Sequence, residues 1–190
     1  LQEKTEMKTK FIIALIIFLS VFYSCKEESK QKESDAEKTA ETVNNAFTVT
    51  LDIVAKKDDN LHLYYTEDNS IDFTEEQSVW AEIKGNEAAQ KVVFKLSEDA
   101  LPTDLRFDIG YGKNIEQKEI RVNNINFEYF GKSFNIKGNE IANYFYPNKE
   151  STILDATTGI LSRVKVDQET APSLYPHTTL KEELLKIVRQ

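Results

Sequence analysis

The sequence predicts an all-β protein: a jelly-roll-like antiparallel β-sandwich with a short C-terminal helix. Three observations carry that expectation. From Phe47 onward, apolar and polar residues alternate in short runs, the period of a half-buried strand. Polar turns bearing Gly, Pro, Asn or Asp interrupt these runs at the spacing of a sandwich. No helical pattern separates the strands, which disfavours a parallel βαβ sheet.

The elements follow in chain order. In FTVTLDIV, Phe47, Val49, Leu51 and Ile53 alternate with Thr48, Thr50 and Asp52. KKDDN, residues 56–60, is a polar turn. LHLYYT sets Leu61, Leu63 and Tyr65 against His62 and Tyr64, and EDNS, residues 67–70, breaks it. In SVWAEIKG, Val79, Ala81 and Ile83 oppose Trp80, Glu82 and Lys84. KVVFKL puts Val92, Phe94 and Leu96 on one face. After the break at Pro102, DLRFDIG alternates Leu105, Phe107 and Ile109 with Arg106 and Asp108. In EIRVNNINFEYF the parity shifts between Val122 and Ile125, so Asn123-Asn124 is a candidate bulge. KSFNI returns through Gly131 as the second strand of a hairpin. Roughly seven or eight short strands result.

The C-terminal third is more ambiguous. NEIANYFYPN reads as a helical turn or as an irregular aromatic strand. TILDATTGILSRVKV reads as a hairpin-like pair around Thr157-Thr158-Gly159. TTLKEELLKIVRQ predicts a closing helix of about ten residues. Leu180, Leu184, Leu185 and Val188 would share its face, and Thr179 with Glu182 has capping-box spacing.

Ahead of the body the chain carries an address. Met7, Lys8 and Lys10 precede FIIALIIFLSVFY, residues 11–23, as a basic n-region precedes an apolar h-region. The run is shorter than the roughly 20 apolar residues of a permanent span. Residues 1–24 are therefore expected to be a signal peptide with an upstream extension, translated from Met7. The apolar run ends at Ser24-Cys25. Residues 26–45, KEESKQKESDAEKTAETVNN, almost lack large apolar side chains and cannot offset their ordering entropy. They read as a flexible tether of roughly 25 Å root-mean-square reach. The folded body would occupy residues 46–190.

Composition narrows the function classes. The net charge is -8, which denies a nucleic-acid partner its basic footprint. Cys25 is the single cysteine, so neither an internal disulfide nor a multi-thiolate zinc site is expected. His62 and His177 are the two histidines, far apart and outside any H-E-x-x-H spacing. The phosphate-binding and nucleophile-elbow glycine motifs are missing as well. No cofactor is expected.

The stretch ending at Ser24-Cys25 resembles a bacterial lipoprotein signal, in which a small residue precedes a cysteine that is acylated and becomes the mature N-terminus. Ser24 fits the small position, while Phe22 and Tyr23 depart from the usual residues before it. The resemblance implies membrane lipid as a partner through acylated Cys25, where more than one acyl chain gives stable anchoring. The alternative is a plain signal peptide or uncleaved anchor with Cys25 incidental. Lys26-Glu27-Glu28 resembles the lysine-plus-two-acids signal that sends Bacteroidetes-type lipoproteins to the outer face of the outer membrane. It implies an outer-membrane, lipid-anchored, cell-surface location.

Residues 62–127 resemble the jelly-roll, carbohydrate-binding-like module appended to bacterial cell-surface polysaccharide glycosyltransferases. The matching positions are Leu63-Tyr64-Tyr65, Phe73 with Glu75 and Ser78, Val92 to Leu96, Leu105 to Gly110, and Ile120 to Phe127. Ile109 and His62 depart from the proline and glutamine common there. The resemblance implies the sandwich and a glycan ligand, and it brings no catalytic residue.

Five residues are candidate ligand contacts. His62, Tyr64 and Trp80 lie opposite their strands' aliphatic sets, where rings can stack on sugars. They serve equally as core if a second layer covers that face. Arg106 and Asp108, two apart on one strand, can read sugar hydroxyls or form a structural polar pair. Asp58-Asp59 and Glu67-Asp68 could ligate calcium or simply be solvated turns. The leading expectation is thus a non-enzymatic surface lipoprotein with a glycan-binding-like sandwich. The second is an interaction lipoprotein that docks an envelope membrane protein through its C-terminal helix or the YFYPN segment. A hydrolase, which needs converging carboxylates, is the third. Cells fed radiolabelled palmitate should label the wild-type protein and not Cys25→Ala. Label surviving that substitution would overturn the lipoprotein reading.

Overall fold

The computed structural model describes residues 45–110 and 117–189. The expected signal segment, Cys25, Lys26-Glu27-Glu28 and the tether as far as residue 44 lie outside the described residues. Within them the chain forms, in order, β1 (Thr48–Ala55), β2 (Asp59–Thr66), β3 (Ser78–Ile83), β4 (Gln90–Lys95), β5 (Asp104–Ile109) and β6 (Glu119–Tyr129). There follow β7 (Lys132–Lys137), β8 (Phe145–Pro147), β9 (Thr152–Asp155), β10 (Ile160–Arg163), β11 (Ser173–Pro176) and the helix α1 (Thr178–Val188). Short 3₁₀ turns occupy Glu75–Gln77 and Gly138–Asn143.

Two antiparallel sheets pack as a sandwich. The first runs β4-β1-β6-β10-β9, with β7 also paired to β6; the second runs β3-β2-β5-β11-β8. The alternation read from the sequence points inward as expected. Phe47, Val49, Leu51, Ile53, Phe94, Ile125 and Phe127 of the first sheet meet Leu61, Leu63, Leu105, Phe107 and Phe145 of the second in one core. All are essentially free of solvent contact, and burying a side chain of this size stabilises by roughly 1.5–3 kcal/mol.

Two backbone features shape the first sheet. The β1–β6 register shifts so that Asp52 faces Asn124 and Ile53 faces Val122. Asn123 is the extra residue, and its amide donates to the Asp52 carboxylate at 3.0 Å. The bulge keeps Val122 and Ile125 both pointing inward despite their odd spacing. One edge of β6 is also shared, with β10 beside its first half and β7 beside its second. Gly138 and Gly159 meet where β7 ends and β10 begins, against the Val122 carbonyl, which leaves no room. A Cβ on Gly138 would lie 2.2 Å from that oxygen, and one on Gly159 2.4 Å from it. The β6–β7 hairpin turns through Phe130 and Gly131, at φ 48° and 75°, the left-handed pair a two-residue loop requires.

The ambiguous segment NEIANYFYPN holds both alternatives in series, a 3₁₀ turn and then β8. The hairpin around Thr157-Thr158-Gly159 forms from β9 and β10. β11 was not anticipated from the sequence, because SLYP is only four residues long and is flanked by Pro172. It is nonetheless interior to its sheet, between β5 and β8, and the Pro172 carbonyl accepts the Ile109 N–H at 2.7 Å.

The closing helix needs two corrections. It starts at Thr178 with His177 as its N-cap, without a side-chain capping bond, so the Thr179/Glu182 capping box does not form. Its buried stripe is Leu180, Leu184 and Ile187, whereas Leu185 and Val188 are only half-buried. The helix contacts β6 and β7 of one sheet and β5 and β11 of the other, which turns the stripe toward Ile187. Leu180 and Leu184 therefore offer no exposed docking patch. Among the described residues no helix is long and apolar enough to cross a membrane.

The glycine junction yields a comparison. Gly131 and Gly159 share a left-handed backbone, at φ 75° and 71°, but a Cβ on Gly131 meets nothing within 4 Å. Gly131→Ala should cost only the left-handed penalty, about 1–2 kcal/mol. Gly159→Ala adds the clash with Val122 and should cost clearly more, about 3 kcal/mol. Urea unfolding midpoints check this, and equal losses would mean that the junction has slack.

Candidate functional site

All five residues singled out from the sequence converge on one face, the side of the second sheet turned away from the core. Period-two alternation puts them there, and the strand register aligns them. His62 on β2 is opposite Trp80 on β3 and Asp108 on β5. Tyr64 is opposite Arg106, and Tyr175 on β11 is opposite Tyr146 on β8. The connection between β2 and β3 folds back over this face and brings Phe73 and Glu75 onto it.

One end of the face is a clasp built around Glu75. Its carboxylate accepts the Trp80 indole N–H at 2.8 Å and the Tyr64 hydroxyl at 3.3 Å. His62 Nε2 lies 3.8 Å from the same carboxylate. The imidazole sits between two rings, 3.7 Å from Trp80 and 3.8 Å from Tyr64 between centroids. His62 is wholly covered, while Trp80 above it is 44% exposed. A ligand approaching here would meet Trp80 and not His62.

The centre is held by Arg106. Its guanidinium donates through Nε and Nη2 to the two Asp108 oxygens at 2.8 and 2.6 Å. It also lies 4.9 Å from the ring centroids of both Tyr64 and Tyr175. Such a bidentate, ring-flanked pair fixes a planar fork in one orientation. Asp108 is buried beneath, so Arg106 is the part of the pair nearer the surface.

The far end is an aromatic groove. Tyr146 and Tyr175 lie near-parallel, 22° apart with centroids at 5.8 Å. With Ile71, Pro147, Asn148 and Lys149 they line an open groove of about 420 Å³. Phe73 bridges the two ends, with its ring edge-on to Tyr175 at 6.1 Å and its centroid 6.4 Å from that of Tyr64. The rings therefore form a continuous stripe from Trp80 to Tyr146.

Sequence reasoning did not single out Tyr146 or Tyr175 as contacts. YFYPN reads as an aromatic segment, but Tyr175 stands on a strand that no local pattern announces. Phe73 and Glu75 entered through the family resemblance alone. The acidic turns have structural partners. Asp58 accepts from Lys84 and Gly85, Glu67 from Leu101 and Gln77, and Asp68 from Ser70. Among the described residues no three His, Cys, Asp or Glu side chains are grouped as a metal site requires.

Electrostatics follow burial. Desolvation pushes the His62 imidazole below its ordinary value of 6.5, against the smaller upward pull of Glu75 and Asp108, with Arg106 adding to the depression. The Tyr64 phenol is pushed up to about 12, by burial first and then by Asp108 and Glu75. Both groups are thus neutral near pH 7: His62 is an uncharged spacer between rings and Tyr64 a hydrogen-bond donor.

Protein-family models, curated proteins and solved structures were compared with the chain, and none matches it. What the described residues establish is two antiparallel sheets packed as a sandwich.

Burial of His62 has a pH signature. The unfolded chain takes up its proton near 6.5, while the folded chain resists until a lower pH. Its contribution to stability is full above 6.5 and declines as the pH falls through that value toward the depressed one. Urea midpoints should be lower at about pH 5 than at about pH 7.5, and His62→Gln should narrow the gap. An unchanged gap in that variant would put the acid sensitivity elsewhere.

Proposed function

We propose that this chain is a non-catalytic, glycan-binding lipoprotein, held in the outer membrane by acylated Cys25 and displayed at the cell surface. Lys26-Glu27-Glu28 acts as the export signal and residues 26–45 as the tether. The observation that carries the reading is the convergence of Trp80, His62, Tyr64, Arg106 and Asp108 on one sheet face, joined there by Tyr175 and Tyr146. Sugars present C–H faces that stack on rings and hydroxyls that fixed polar groups read, and this face offers both. The resemblance to the carbohydrate-binding-like module points the same way. The groove on this face is lined by no carboxylate, so the hydrolase reading draws nothing from it.

A second reading has its own observation. Ile153 on the edge strand β9 is 55% exposed, and Val164 and Val166, just after β10, are 39% and 62% exposed. An apolar sheet edge suits a protein partner, here an envelope protein. The C-terminal helix, with Leu180 and Leu184 buried, supplies no such surface, whereas Tyr146 of the YFYPN segment is exposed.

Purified protein applied to an array of bacterial-envelope and environmental polysaccharides should bind at least one. The Trp80→Ala/Tyr146→Ala double variant, which damages both ends of the stripe, should lose that binding. No binding to any glycan, together with a co-purifying membrane protein, would replace the first reading with the second.

A further inference from the structure

We infer that the sugar seat on this face is the groove at its β8–β11 end, and that the Trp80 end is scaffold. The inference rests on the glycan-binding reading and deepens it. The two ends differ in what their polar groups already do. At the Trp80 end the indole N–H and the Tyr64 hydroxyl both donate to Glu75. The Arg106 fork is closed on Asp108, with its faces against tyrosine rings. A sugar arriving there would have to break bonds to form its own, and drawing Arg106 away would leave the buried Asp108 carboxylate unsatisfied, which is costly.

At the groove the situation is reversed. Among the described residues, the Tyr146 and Tyr175 hydroxyls, the Asn148 side-chain N–H₂ and the Lys149 ammonium make no hydrogen bond or ion pair. The Asn148 amide is nonetheless fixed in orientation, because its Oδ1 accepts the Glu150 N–H at 3.0 Å. Asn148 is also held through its backbone, which donates to Ser173 and accepts from Ser151 and Thr152. Apolar surface lies beside these donors. Tyr146 is 39% and Ile71 56% exposed, large values for such side chains unless something covers them. The groove, at about 420 Å³, is within the range of small-ligand sites, roughly 300–1,000 Å³.

Stacking surface and unengaged, oriented donors side by side are the two things a pyranose ring requires. The ring's C–H face would lie on Tyr146, Tyr175 and Ile71, and its hydroxyl oxygens would accept from Asn148 and Lys149. Because the groove is open along the surface, a sugar within a chain fits as well as one at its end. The ligand class is thus a polysaccharide recognised along its length through one pyranose unit.

The test measures affinity of the purified full chain for a polysaccharide that the array identifies, with Tyr146→Ala, Lys149→Ala and Trp80→Ala in parallel. Circular dichroism and urea midpoints verify that each variant is folded. Tyr146→Ala should weaken binding by about tenfold or more, and Lys149→Ala by several-fold, each by clearly more than Trp80→Ala does. If Tyr146→Ala fails to fold, the exposed Lys149→Ala decides in its place. Binding that survives Tyr146→Ala and Lys149→Ala but is lost in Trp80→Ala would overturn this assignment and leave the glycan-binding reading standing. Absence of binding by the wild type to any glycan would overturn both.

Discussion

The first sheet depends on the β1–β6 ladder and on the single extra residue within it. β6 is the longest strand described, and β1 pairs with it from Thr48↔Glu128 to Ala55↔Ile120. Side chains in a strand alternate faces, so a slip of one residue would turn half of β6 inside out. Asn123 absorbs that slip. Ile120 and Val122 before it, and Ile125 and Phe127 after it, all reach the same core. The other edge of β6 then serves two short strands in succession. Gly138 and Gly159 allow their ends to meet at the Val122 carbonyl, where a larger residue has no space.

The second sheet uses alternation differently. Its inner positions are aliphatic and aromatic, as in the first sheet, but its outer positions carry rings and charges that satisfy one another. A desolvated ion pair such as Arg106–Asp108 gains little net stability, because loss of hydration offsets much of the attraction. What it gains is orientation. The guanidinium is fixed between Tyr64 and Tyr175, and these rings are in turn fixed relative to Phe73 and Tyr146. Glu75 does the same for Trp80 and Tyr64 from the other side. The result is a stiff aromatic strip whose groups are engaged at one end and available at the other. Preorganised surfaces of this kind lose little side-chain entropy on binding.

The proposed anchor and the proposed sugar seat fit together physically. A lipid-tethered domain searches a thin shell above the membrane, and a flexible tether keeps its effective concentration near the surface high. On the proposed reading, modest affinity for one pyranose unit, repeated along a polysaccharide and across many anchored copies, would become appreciable retention. Neither a deep pocket nor an activated nucleophile is required for that role. The shallow open groove and the neutral Tyr64 and His62 are consistent with it.

The sequence by itself determined what depends on neighbouring residues. Strand positions from β1 to β7, their inward faces, the bulge near Asn123 and the closing helix are all readable, because a period of two, a parity break and a period near 3.6 are local patterns. Local patterns also put Trp80, Tyr64, His62, Arg106 and Asp108 on the faces opposite their aliphatic neighbours. Only the tertiary structure decided that these faces are one face. That outcome depends on cross-strand register and on the back-folded 67–77 connection, neither of which is encoded by spacing along a single strand. The same holds for β11, whose four residues carry too little pattern to announce a strand yet bring Tyr175 beside Tyr146. It holds too for the helix, where two apolar faces were nearly equivalent in sequence. Packing against both sheets chose the one containing Ile187.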